Sequence, residues 1–189
     1  MTLKPQILSE LASFSCISAQ SKVQLFLAAI GIKPVSWINI TNKNETEKLI
    51  NWLTKVGLYY LTSTDDSSLI FVSKNKTLLS EANNIAFSNT KENIIKKCLL
   101  FGYPEQTALA HYSFYYVNPN GTKNITGRNI HPRNDFSEFP FDYLPYLCYT
   151  VRLNHEIEDM ETAKKWYDIV KKDAPELDKQ LRISIQNLE

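Results

Sequence analysis

Glycine is scarce in this chain, with five in 189 residues, at positions 31, 57, 102, 121 and 127. That spacing leaves no glycine-rich loop to cradle phosphate, and neither a dinucleotide fingerprint nor a nucleophile elbow occurs. Cysteine is equally thin: Cys16, Cys98 and Cys148 are odd in number, far apart, and each lies in an apolar stretch. Such usage describes no disulfide framework and fits a reduced, cytoplasmic protein. The three histidines, His111, His131 and His155, have no metal-ligand spacing with one another or with the cysteines, so no metal and no cofactor is expected. A dominant charge is also missing. The formal net charge is +1, which provides no global field to recruit nucleic acid or an anionic membrane. No run approaches about 18 apolar residues, so no membrane span is expected, and the N-terminal residues lack the apolar core of a signal peptide. Without secretion, the Asn-x-Thr triplets at Asn39, Asn44, Asn75, Asn120 and Asn124 are chance matches in an asparagine-rich chain.

What the chain does hold is enough apolar side chain for a core: 43% of residues are hydrophobic and 12% aromatic, which excludes general disorder. Apolar residues at three- and four-residue spacing predict helices near 5–14, 20–30, 45–56, 73–86, 91–101, 104–116, 156–172 and 175–188. The second, Lys22 to Ile30, is apolar almost all round and should be buried on most sides. Asn44, with Glu47 three residues on, suggests a capping-box variant for the third helix, and Ser73 a cap for the fourth. Leu58–Leu61 and Leu69–Val72 read as a β-hairpin, with a further brief strand at Val35, Trp37 and Ile40. The expected fold is α+β: a mostly helical single domain over residues 1–189 with a small antiparallel hairpin. Its lobes would be 1–73 and 74–189. Three helices followed by a hairpin also give the first lobe the order of a winged helix.

The stretch from Lys97 to Thr107 is the sharpest local signal. Ile94, Ile95, Cys98, Leu99 and Phe101 are expected on one face of a helix that Thr90 caps and Gly102 closes. Pro104 then suits the first position of another helix, with Glu105 at its positive end.

Beyond that corner, no acidic residue occurs between Glu105 and Asp135. The window holds Lys123, Arg128, Arg133, His111 and His131, with Tyr112, Phe114, Tyr115 and Tyr116 among them. A basic, aromatic-lined surface of this kind suits phosphates or carboxylates, which match guanidinium forks. The ligand-binding candidates are Tyr103, His111, Tyr112, Arg128, His131 and Arg133, facing an anionic small molecule or a protein partner. Three readings follow, in this order. The first is a non-catalytic binding or interaction protein. The second is an enzyme on a small anionic substrate, with His111 or His131 as acid–base and Arg128 and Arg133 as clamps. The third is a DNA-binding winged helix. Against that last reading, the third helix mixes Glu45, Glu47, Lys48 and Lys55, and the wing tip carries Asp65 and Asp66, which phosphates would repel.

Three runs, Val72 to Leu79, Leu100 to Glu105 and Ala163 to Tyr167, resemble an uncharacterised archaeal family over about residues 58–172. That family has a helix opening with Gly-Tyr-Pro, here Gly102-Tyr103-Pro104, usually followed by a pair of cysteines. Gln106 and Thr107 stand in their place. The resemblance implies an architecture and no assigned activity, and any metal or redox role of the cysteine pair has no counterpart here.

Overall fold

A computed structural model describes residues 2–63, 67–88, 90–112, 146 and 156–186. The least polar helix, Ala19–Ala29 (α2), is the axis around which the other elements are laid. Ser18 opens it: the hydroxyl accepts the N–H of Ser21 at 3.1 Å. Every residue from Ser21 to Ala29 is buried, including three polar ones, Ser21, Lys22 and Gln24, and each of these has a hydrogen-bond partner. The Lys22 ammonium donates to the carbonyl of Ala12 at 2.7 Å and to Gln180 Oε1 at 3.0 Å. The Gln24 side chain accepts from Lys33 Nζ at 3.5 Å.

Before α2 comes Pro5–Ser13 (α1), and after it Ser36–Asn39 (β1), a 3-10 turn at Lys43–Glu45, Thr46–Lys55 (α3), Tyr59–Thr62 (β2) and Leu69–Ser73 (β3). The strands form one antiparallel sheet in the order β1-β3-β2, with Trp37 opposite Phe71 and Leu61 opposite Phe71 on its other side. The expected hairpin is thus present, and the brief strand completes a third rung beside it. Because side chains alternate across a strand, Ile38, Ile70 and Val72 share the face that joins the α2 core, while Trp37 and Phe71 point the other way. The first 73 residues contain the helices and hairpin of the winged-helix order, but β1 separates α2 from α3, so those two helices do not form a helix-turn-helix.

The chain continues with Lys76–Ile85 (α4), Lys91–Leu100 (α5), Glu105–Tyr112 (α6), Glu156–Asp173 (α7) and Pro175–Gln186 (α8). The last two return to pack on α2, so Ala163, Trp166, Val170, Leu177 and Leu181 share one core with Leu25, Phe26 and Trp52. The fold is α+β and mostly helical, as the periodicity indicated. Among the described residues no helix is long and apolar enough to cross a membrane.

Three local expectations need correction. Asn75, not Ser73, caps α4: its Oδ1 accepts from the N–H groups of Thr77 and Leu78 at 2.9 and 3.2 Å. Ser73 ends the sheet instead, donating to the Pro34 carbonyl at 2.6 Å. Asn44 makes no capping box, since the 3-10 turn places Glu45 at the helix start, where its carboxylate accepts the N–H and hydroxyl of Ser15. On α5, Leu99 turns outward at 40% exposure, and Leu100 is buried against Val35 and Ala82. A second small core behind β1 claims Leu100, and this rotates the stripe expected from spacing alone.

Candidate functional site

The corner that follows α5 is closed as the glycine predicted. Gly102 has φ +86°, its N–H bonds to the Leu99 carbonyl, and the Tyr103 N–H reaches back to the Cys98 carbonyl, both at 3.0 Å. This pair of bonds satisfies carbonyls that a helix end leaves orphaned. A Cβ on Gly102 would meet the Trp166 ring at 3.4 Å, so the corner is pressed against α7. One turn later, Thr107 donates to Asp159 at 2.7 Å, both side chains fully buried, which pins α6 to α7.

The corner fixes one wall of a groove of about 270 Å³ between the open face of the sheet and the ends of α4 and α5. Phe71 from β3 and Phe101 from the corner stack nearly parallel within the lining, at 9° with centroids 6.2 Å apart. Trp37 from β1 and Phe87, just past α4, keep 41% and 53% of their surface exposed. Leu69, Ala86, Lys97, Cys98 and Tyr103 complete the lining. Large apolar rings left open on a surface with a buried core to spare are a cost unless something covers them.

One lining residue is charged. Lys97 is half-buried on the last turns of α5, and its ammonium donates to the carbonyl of Ala86 at 2.9 Å. Burial lowers its pKa below the ordinary lysine value, against a smaller opposite effect of the neighbouring Cys98 thiol. Among the described residues no aspartate or glutamate lines the groove, and none of their ion pairs includes Lys97. The arrangement can bind a flat apolar group on its rings and answer an acceptor with the ammonium.

Of the residues singled out from sequence, Tyr103 lies in this groove. His111 and Tyr112 end α6, and their side chains lie outside the described residues, as do Arg128, His131 and Arg133, Asp65 and Asp66, expected at the tip of a wing, and Cys148. Trp37, Phe71, Phe87, Lys97 and Phe101 were not marked as binding residues by sequence reasoning. The one available signal was in β1, where alternation puts Trp37 on the face opposite the buried Ile38.

A larger cavity, about 570 Å³, opens between α3, the edge strand β2 and α4. It is lined by Leu58, Tyr59, Leu61 and Leu79 together with the exposed Lys76, and it has no stacked pair of rings. Among the described residues, no group of three or more His, Cys, Asp or Glu is placed to hold a metal ion. No protein-family model, no curated protein and no solved structure matches the chain.

Proposed function

We propose that this is a cytoplasmic, non-catalytic binding protein whose recognition surface is the aromatic groove beside Tyr103. The observation that carries this reading is the pair of open rings, Trp37 and Phe87, beside the stacked Phe71 and Phe101. Three of the four are mounted on fixed elements: Trp37 on a strand, Phe71 on the central strand, Phe101 on a helix corner. A preformed, rigid apolar surface with few polar groups is the usual build of a small-ligand site. Neither Cys16 nor Cys98 is in a disulfide, which accords with a reducing compartment. Duplex DNA is no part of this reading, because a net charge of +1 and an α3 that mixes Glu47 with Lys48 offer no track for phosphates.

The test is ligand-observed NMR with a library of one- and two-ring fragments. Binding in the millimolar range is expected, lost in the Trp37→Ser/Phe87→Ser double variant while its circular dichroism stays unchanged. Fragments that bind the double variant as well as the wild type, or no fragment binding at all, would refute the reading.

A further inference from the structure

The lining of the groove narrows the ligand class, and this step rests on the binding reading above. We infer that the groove takes a small planar aromatic acid, its ring lying against the open rings of Trp37 and Phe87 beside the stacked pair and its carboxylate paired with the Lys97 ammonium.

Size comes first. At about 270 Å³ the groove sits near the lower end of small-molecule pockets, with room for one ring or a fused pair and not for a folded element of a partner. Shape follows from the lining. Phe71 and Phe101 lie within 9° of parallel, and Trp37 stands directly opposite Phe71 across the ladder, so flat surfaces dominate. A planar ring gains both apolar burial and offset stacking on them.

Charge then selects among rings. Lys97 is held in place by its bond to Ala86, the residue that ends α4, so the ammonium is positioned at the wall before any ligand arrives. That bond uses one of three N–H donors. A neutral or cationic ring that covered the groove would strip water from the remaining donors and return nothing, which is costly for a charged group. A carboxylate on the ring replaces that water with a charge-assisted hydrogen bond. Among the described residues no acidic side chain lines the groove to compete for the ammonium.

The experiment uses the whole chain and an isosteric pair, indole-3-carboxylate and indole-3-carboxamide, titrated by calorimetry or NMR at about 50 mM and about 500 mM salt. The acid is expected to bind about tenfold more tightly than the amide at low salt, with the gap shrinking at high salt. Lys97→Met should bring the acid down to the amide's affinity and leave the amide unchanged, whereas Lys97→Arg should keep the preference. Equal affinities of acid and amide for the wild type, with both lost on Trp37→Ser, would sink the acid while leaving the groove as a binding site. A preference that survives in Lys97→Met would place the anion elsewhere and likewise overturn the inference. If neither compound binds and no ring fragment does, the binding reading itself falls.

Discussion

On one face of the sheet, Ile38, Ile70 and Val72 are closed over by the α2 core; on the other, Phe71 is buried between neighbours that stay open, Trp37 at 41% and Leu61 at 38% exposure. Both faces carry large apolar side chains, so hydropathy does not distinguish them. The difference lies in what each face meets. A buried helix with all its polar groups paired covers the first, and covering it is worth roughly 1.5–3 kcal/mol for each large side chain. Among the described residues the second meets α4, the end of α5 and the corner at Gly102, which leave a groove open beside Phe71. Stability accounts for the closed face. It does not account for rings left in water on the other.

That contrast is broken most directly at the closed face. Ile70→Ala should cost about 2–5 kcal/mol in urea unfolding, because a fully packed site cannot collapse around the missing atoms. A loss below about 1 kcal/mol would mean that α2 does not seal that face. Next in size is the corner. Gly102→Val should cost on the order of 1–2 kcal/mol, since a β-branched residue fits a φ of +86° badly and its Cβ would also crowd Trp166. An unchanged thermal melt would show that the corner does not need glycine.

At the open face the expectation reverses. Phe87→Ser should change stability by no more than about 0.5 kcal/mol, the range of surface substitutions, while weakening ring binding. A large loss of stability would make Phe87 part of the core and remove it from the site.

The smallest effect is a pH dependence. The pKa of Lys97 is lowered in the folded protein, chiefly by burial, so the unfolded chain binds more protons in the interval below the ordinary value of 10.5. Holding the charge therefore costs stability at neutral pH, and that cost fades as pH rises through the folded value toward 10.5. The wild type should accordingly gain stability relative to Lys97→Met on going from neutral to strongly alkaline buffer, as measured by paired urea titrations. A constant difference across that interval would mean that the ammonium is fully hydrated, and it would weaken the case for a desolvated partner.

Much of the architecture was legible from residues close together in the chain. Gly102 adopts the positive φ expected of a helix stop, at 86°, and Gly31 and Gly57 do the same behind α2 and α3, at 82° and 72°. Thr90 caps α5 as predicted, its hydroxyl accepting the Asn93 N–H at 3.4 Å. The site was less legible. Tyr103 was marked as an aromatic wall of the basic surface, whereas Trp37, Phe71 and Lys97 joined it only through contacts between distant segments. Most of the acid-free window, Arg128 and Arg133 included, falls outside the described residues, so the candidate site now rests on different side chains.

By itself the sequence determined where helices stop, that α2 would be buried, and that two β-rich runs would pair. Each of these depends on backbone strain, capping or hydropathy within a few residues of chain. Only the tertiary structure decided that β1 lies beside β3 and sets Trp37 opposite Phe71, that Leu100 takes the buried position and Leu99 the open one, and that Lys97 reaches across to Ala86. Those outcomes follow from how whole elements share a limited interior. A helix can turn its stripe by one residue at little local cost when a second core rewards the rotation, and no local spacing rule records that reward.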